Sequence, residues 1–415
     1  MVDNERLKEK VILVGICLSD QDETLDSLEE LEELMEAAGA ESVAVVVQNR
    51  EQVHPGTYLG KGKIEELKDL IWEKEATGIV CDDELSPAQL SNLQDMLDVK
   101  VMDRTLVILD IFAKRASTSE GKLQVELAQL KYRASRLTGL GKSMSRLGGG
   151  IGTRGPGEKK LEVDRRLIKT RIAHLNDELE EVRRHREVTR IQRKKNNIPV
   201  AAIVGYTNAG KSTLLNRLTG AGVWEMDQVF ATLDPTTRIL ELPAKQQVLL
   251  TDTVGFIRKL PHHLIDAFRS TLEEAKYADI IIHVVDASNP QALEQMRIVY
   301  ETLNELGVEN KPIITLFNKQ DRITGEAVLR DFRADMVIPS SAATGMGMDE
   351  LCNAIAEILR KQKVFISRVF DYKEGGFVQQ IRESGELLKE EYRAEGIYVE
   401  AYVPSSLANR IGMQI

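Results

Sequence analysis

Gly205-Tyr206-Thr207-Asn208-Ala209-Gly210-Lys211-Ser212 is the stretch of this chain best equipped for chemistry. It reads G-x-x-x-x-G-K-S, the spacing of a phosphate-binding loop. Phosphate oxygens need several N–H groups aimed into one concavity, and glycines let the backbone curl that tightly. Lys211 supplies a point charge for the β- and γ-phosphates, and the Ser212 hydroxyl is a ligand for Mg²⁺. The apolar run Val200 to Val204 predicts a buried strand ahead of the loop. Thr213 to Leu218 predicts a helix behind it, with an N-terminal dipole that favours the anion. A chance glycine loop would lack this order of strand, loop and helix.

Later strand ends decide the base. Asn318-Lys319-Gln320-Asp321 follows the apolar run Ile313 to Phe317. A carboxylate there can accept both the N1–H and the N2 amino hydrogens of guanine, a donor pair that adenine lacks, so Asp321 selects by unmade bonds. The Lys319 stem can lie over the base plane. Ser340-Ser341-Ala342, after the next strand, offers backbone N–H groups to guanine O6. Asp252-Thr253-Val254-Gly255 ends another strand; Asp252 can hold a water on Mg²⁺, and the Gly255 N–H can sense the γ-phosphate. Between this segment and the phosphate loop lies Phe230-Ala231-Thr232-Leu233-Asp234-Pro235-Thr236-Thr237-Arg238. One of its threonines is expected to ligate Mg²⁺ when triphosphate is bound, ordering the segment until hydrolysis releases it. The residues alone leave Thr232, Thr236 and Thr237 open.

Many GTPases carry Gln after this last glycine to orient the attacking water. Here it is Phe256, so intrinsic turnover is expected to be slow and dependent on a partner, unless Phe256 is a core residue and another polar group acts. Arg238 is one candidate for the missing cation. Asn208 is another route: its side-chain carbonyl is a hard oxygen that suits K⁺, although asparagine also favours a loop turn for purely local reasons.

The elements that must position these residues are apolar strands near 200–204, 248–251, 280–285, 313–317 and 336–338, alternating with helical stretches. That is a doubly wound α/β sheet, with the ligand beyond the carboxyl ends of its strands. Residues 199–362 are assigned to it. Residues 1–104 alternate strand and helix patterns and predict a small α/β domain with a mostly parallel sheet. Its glycine loop Gly56 to Lys63 could bind phosphate or simply connect elements. Its acidic cluster Asp82, Asp83, Glu84 is expected to be a solvated loop.

Residues 105–198 change rhythm. Leu123, Leu127, Leu130, Ala134 and Leu137 are spaced 4-3-4-3, and Leu161, Ile168, Ile172, Leu175, Leu179 and Val182 repeat the pattern. Glycines and Pro156 between them forbid one continuous helix, so a long antiparallel helical hairpin with a glycine-rich tip is expected. Lys142, Arg146, Arg154, Lys159 and Lys160 decorate that tip. Residues 363–415 predict a small α+β domain with a hairpin around Ala394-Glu395-Gly396.

At 415 residues the chain has room for about three or four domains. Its net charge of −10 hides an asymmetry. Residues 113–200 hold 22 Lys and Arg against 10 Asp and Glu, a net +12, and the remainder holds 33 against 55, a net −22. A basic segment on an acidic protein suggests a localised polyanion site. The tip is nearly free of acidic residues, as nonspecific phosphate contacts require. Few aromatics are interleaved, so folded RNA fits better than stacked single strands. The three cysteines, Cys17, Cys81 and Cys352, form no C-x-x-C pair and read as buried side chains of a cytoplasmic protein. No signal peptide and no membrane span is expected.

Together these motifs resemble the translation-factor-related GTPases, and more narrowly the HflX-type GTPases. The narrower likeness rests on Phe-Ala-Thr-Leu-Asp-Pro-Thr-Thr-Arg at 230–238, Asp-Thr-Val-Gly-Phe-Ile-Arg-Lys-Leu-Pro at 252–261 and Gly-Gly-Gly-Ile-Gly-Thr-Arg-Gly-Pro-Gly-Glu at 148–158. It covers nearly the whole chain, most loosely at the C-terminal end. The resemblance implies that Thr232 is the Mg²⁺ threonine. It implies GTP hydrolysis to GDP and phosphate, with Lys211, Thr232 and Gly255 carrying the catalysis. It also implies binding to the large ribosomal subunit and its ribosomal RNA, and splitting of stalled ribosomes under stress. A monomer is expected, cytoplasmic with room for a peripheral membrane-associated fraction. The rival readings are an ATP- or GTP-using RNA-remodelling enzyme and a ribosome-binding scaffold in which GTP is structural.

Overall fold

The computed structural model describes residues 8–18, 23–144, 156–195, 198–220, 236–243, 246–259, 274–323 and 329–412. The chain packs as two compact units. One comprises residues 1–182, 227–233 and 257–269, and the other residues 183–226, 234–256 and 270–415.

The first unit begins with β1 (Lys10–Cys17), α1 (Thr24–Ala38), β2 (Glu41–Asn49), α2 (Lys61–Lys74), β3 (Gly78–Cys81), α3 (Pro87–Leu97), β4 (Lys100–Asp103) and α4 (Arg104–Arg115). The strands form a parallel sheet of order β2-β1-β3-β4. The continuous apolar run of β1 is what a strand covered on both faces requires, and Val11 to Val14 are fully buried. Helix starts are locally specified. Ser86 and Gln89 form a reciprocal capping box ahead of α3, with Pro87 at its first position. Asp103 accepts the Leu106 N–H at 2.9 Å and caps α4.

Two long helices follow, α5 (Ser119–Met144) and α6 (Pro156–Lys195). Leu127, Leu175 and Leu179 form their buried seam, flanked by Leu123, Leu130 and Ile172. Arg171 forks onto Glu126 at 2.8 and 2.9 Å, and Arg165 donates to the Leu137 carbonyl. Higher numbers on one helix meet lower numbers on the other, so the hairpin is antiparallel. The five basic side chains assigned to its tip lie outside the described residues.

The acidic turn after β3 corrects the expectation of a solvated loop. Asp82 is buried and pairs with Arg104, also buried, at 2.6 Å. Arg104 also reaches Glu30 at 3.1 Å, and Ser27 donates to Asp82 at 3.0 Å. Burial works to raise the Asp82 carboxyl, but Arg104 and Lys259 outweigh it and hold the group below its ordinary range. Nor does the Gly56 to Lys63 loop offer a free phosphate cradle, because the Gly56 and Thr57 N–H groups both donate to His54 Nδ1, at 3.2 and 3.1 Å.

The second unit contains β5 (Val200–Gly205), α7 (Lys211–Thr219), β6 (Thr236–Glu241), β7 (Gln247–Asp252), β8 (Ile280–Asp286), α8 (Ala292–Glu305), β9 (Ile313–Asn318), β10 (Met336–Pro339) and α9 (Met348–Lys361). Its sheet has the order β10-β9-β8-β5-β7-β6 and is parallel except for β6, which runs antiparallel to β7. The chain ends in β11 (Val364–Phe370), α10 (Gly375–Ser384), β12 (Glu386–Arg393), β13 (Gly396–Val403) and α11 (Ser405–Arg410), with an antiparallel sheet β11-β13-β12. Ile397, Val399, Ala401 and Val403 alternate inward from β13 onto Ile366, Phe370 and Ile381.

Removing Arg104 leaves two carboxylates without their buried counter-charge. Arg104→Met is expected to destabilise the first unit by ~3–5 kcal/mol, which lowers its melting temperature by roughly 10 °C. Scanning calorimetry checks this; a shift below about 2 °C would contradict it.

Candidate nucleotide site

The phosphate loop sits at the carboxyl end of β5, the central position of the six-stranded sheet's edge where neighbouring connections diverge. Two of its glycines are required by close approach. Gly205 has φ +156°, and a Cβ there would stand 2.2 Å from the Val284 carbonyl oxygen of β8. Gly210 has φ +97°, and a Cβ would stand 2.4 Å from Asn318 Nδ2. Any side chain would push the loop off the strand ends that complete the site.

Lys211 opens α7 from inside the loop. It is buried, and its Nζ donates to the Tyr206 carbonyl at 2.7 Å. Burial pushes its ammonium down to about 8, against the opposing pull of Asp252 and with a further push from Lys319. Ser212 Oγ donates to Asp252 Oδ2 at 2.8 Å, so the hydroxyl and carboxylate expected around Mg²⁺ converge on one spot. Both are hard oxygen donors, the chemistry Mg²⁺ takes, and they fit the ion. Thr253 donates to the Ile203 carbonyl at 2.7 Å and ties the end of β7 to β5. Val254 and Phe256 are buried. Phe256 bridges back to the loop, its N–H donating to Gly205 O at 3.1 Å and its carbonyl accepting from Thr207 N–H at 2.8 Å.

The base-side motifs also converge. Asn318 is a stitch that the sequence reading did not foresee. Its Nδ2 donates to Ala209 O at 2.9 Å, and its Oδ1 accepts the Ala342 N–H at 2.9 Å, joining the phosphate loop to the Ser340-Ser341-Ala342 turn. A guanine O6 at Ala342 would share or replace that second bond. Lys319 has φ +63° and pairs with Asp286 at 2.8 Å. Asp286 is a further residue missed from the sequence. The signal was available, since it ends a strand whose register sets it beside Asn318. Gln320 Nε2 donates to Phe317 O at 3.1 Å. Asp321 is exposed and accepts Ser341 Oγ at 2.5 Å, and that bond holds its carboxyl below the ordinary range.

Phe230, Ala231, Thr232, Leu233 and Asp234 lie outside the described residues. Thr237 is fixed in β6, with its hydroxyl 3.0 Å from Thr251 Oγ1, and Thr236 opens the same strand opposite Asp252. Arg238 is exposed on β6 and donates to the Thr237 carbonyl at 3.0 Å. Asn208 has φ +59° within the phosphate loop.

Comparison with known proteins fits this geometry. Residues 25–113 match the family model described as "GTP-binding GTPase N-terminal", residues 115–193 "GTP-binding GTPase Middle Region", and residues 200–319 "50S ribosome-binding GTPase". The chain is 66% identical over 407 residues to "GTPase HflX" of Lacrimispora saccharolytica, covering 98% of this chain and 96% of that protein. The chain belongs to the HflX family of GTPases. It is also similar to the HflX proteins of Caldanaerobacter subterraneus, at 50% identity over 99% of this chain and 95% of the relative, and of Escherichia coli, at 42% over 86% and 85%. It therefore binds and hydrolyses GTP at a Mg²⁺-dependent site.

Two outcomes follow from the geometry. Asp321→Asn removes the expected acceptor of two guanine donors. It is expected to weaken GTP roughly 10- to 100-fold and to improve xanthosine triphosphate, whose acceptor at that edge an amide can serve. Titration of both nucleotides checks this, and unchanged GTP preference would contradict it. The second concerns pH. The ammonium form of Lys211 is the one expected to bind phosphate, and burial pushes its pKa down, so that form is lost as pH rises through about 8. Affinity for GDP is expected to fall about fourfold between pH 7 and 8.5, whereas a flat profile would show that Lys211 is not the titrating contact.

Proposed function

We infer that this HflX-family chain is a GTP-hydrolysing switch that binds the large ribosomal subunit and parts or rescues stalled ribosomes under stress. The observation that carries the reading is the charge placement. A net +12 is concentrated in residues 113–200, on a chain whose remainder carries −22, and next in sequence to a GTP site. The antiparallel seam of α5 and α6 gives that charge a stiff support, which is what backbone recognition of folded RNA calls for. The relatives' shared family, and the words "50S ribosome-binding GTPase" for the model matching residues 200–319, point to the same partner.

Within the site, Lys211 and the loop N–H groups take the phosphates. Ser212, Asp252 and Thr232 hold Mg²⁺, directly or through water, and the Gly255 N–H reads the terminal phosphate. Asn318, Lys319 and Asp321, with the 340–342 turn, take the guanine. Phe256 cannot orient water, so turnover of the isolated chain is slow and the ribosomal partner speeds it. Asn208 completes a K⁺ site that offsets charge developing between the β- and γ-phosphates.

GTP turnover with and without large subunits tests the reading; stimulation of about tenfold or more is expected, and none would overturn it. Alanine at Arg146, Arg154, Lys159 and Lys160 should weaken subunit binding and lower its salt slope by roughly one unit per lost phosphate contact, while GTP affinity of the isolated protein holds. Co-sedimentation across a salt series that is identical for parent and variant would return the tip charges to a solvated face. Turnover should be faster in K⁺ than in Na⁺ at equal ionic strength, with Asn208→Ala erasing the difference; equal rates in both salts would exclude the K⁺ site.

A further inference from the structure

The segment after Gly255 changes allegiance within a few residues. Phe256 belongs to the nucleotide unit and is hydrogen-bonded on both sides to the phosphate loop. Ile257, Arg258 and Lys259 belong to the first unit, where Ile257 and Arg258 are buried. Arg258 pairs with Glu23, just ahead of α1, at 2.6 Å. Lys259 reaches Asp83 Oδ1 at 2.7 Å and also pairs with Asp82. It does so from a left-handed backbone with φ +53°, a conformation that a lysine holds only when its surroundings fix it.

The place where Lys259 lands is distinctive. In the sheet order β2-β1-β3-β4, the connection from β1 runs to β2 on one side and that from β3 runs to β4 on the other, so the switch point lies between β1 and β3. The crevice beyond the carboxyl ends at such a point is where open α/β sheets bind their ligands. Asp82 follows β3 there, its N–H donating to the Val14 carbonyl of β1 at 2.9 Å. The acidic receptor is pre-built. Arg104 and Ser27 hold Asp82, and the buried Tyr58 donates to the other oxygen of Asp83 at 2.6 Å. The occupant is the chain's own ammonium group.

The other end of the segment is equally constrained. A Cβ on Gly255 would stand 2.9 Å from Lys211 Nζ and 2.9 Å from Thr207 Cα, so Gly255 lies directly against the lysine that serves the terminal phosphate. Four residues along the chain, the same backbone is held by Lys259 in the acidic receptor.

We propose that a third phosphate beside Lys211 shifts Gly255 and Phe256, that the Asp82–Asp83 receptor at the switch point of the N-terminal sheet binds Lys259 as an internal ligand, and that this latch therefore opposes GTP but not GDP. The inference rests on the reading of Lys211 and Gly255 as the terminal-phosphate site. By linkage, whatever weakens the latch raises affinity for triphosphate relative to diphosphate, and triphosphate in turn loosens the latch. The nucleotide state thereby reaches the N-terminal sheet through its own chain.

The test uses the full chain and titrates GDP and a non-hydrolysable GTP analogue. Lys259→Met removes the latch and Asp83→Asn weakens it by leaving Asp82 alone to pair with Lys259; both positions are partly exposed, and both variants leave the buried Asp82–Arg104 pair intact. Lys259→Met is expected to raise the analogue-to-GDP affinity ratio about fivefold, and Asp83→Asn to raise it by less. The double variant should give no more than Lys259→Met alone, and Lys259→Arg should stay near the parent. Ratios in both single variants equal to the parent's, or gains that add in the double variant, would overturn the latch. A parent chain that binds neither nucleotide would overturn the reading of the nucleotide site, and the latch with it.

Discussion

The space around the Lys211 ammonium is the constraint on which the nucleotide unit depends. A buried cation needs acceptors on all sides, and here they come from strand ends of one sheet. The Tyr206 carbonyl takes the charge now, Asp252 lies close enough to pull on it, and Gly255 packs against it. Several strands must therefore end in register. That explains why β5 and β8 press so tightly at Gly205 that no side chain fits, and why Gly210 yields its space to Asn318. Asn318 then fixes the base turn to the phosphate loop with two bonds at 2.9 Å. The phosphate loop and the 340–342 turn are thus held together through one side chain, that of Asn318.

Elsewhere the chain separates its charges by purpose. In the first unit the acidic surplus is partly buried around Arg104 and Arg136, where pairing is structural. Arg136 joins Asp103 at 2.5 Å, and Tyr132 donates to the same carboxyl group at 2.8 Å. The basic surplus lies along α5 and α6; the described part of α6 is mostly exposed, whereas α5 buries Val125, Leu127, Ala128 and Tyr132.

Much of this was legible in the sequence, for a physical reason. Phosphate, Mg²⁺ and guanine each dictate residue types at fixed spacing, so the sequence marks out Gly205 to Ser212, Asp252 to Gly255 and Asn318 to Asp321, and the fold brings Ser212 to Asp252 and Asn318 to the loop. The parallel strands were legible as apolar runs and the hairpin as a heptad seam. What could not be read depends on partners distant in sequence. The burial of Asp82 depends on Arg104 and Ser27, and the position of Lys259 on a sheet far upstream in the chain. The edge strand β6 escaped because its threonines and Arg238 look like a flexible loop, and only pairing with β7 makes them a strand. Asn318 was read for the base, but its two stitching bonds need the folded neighbours to be seen.

The most direct measurement is amide hydrogen exchange at Thr207 and Phe256, the two donors that join the phosphate loop to the residue after Gly255. It compares the chain bound to GDP with the chain bound to a non-hydrolysable GTP analogue. If a third phosphate must move Gly255 and Phe256 away from Lys211, both amides lose protection with the analogue and keep it with GDP. Equal protection in the two states would contradict the claim that triphosphate and this backbone compete for the same space.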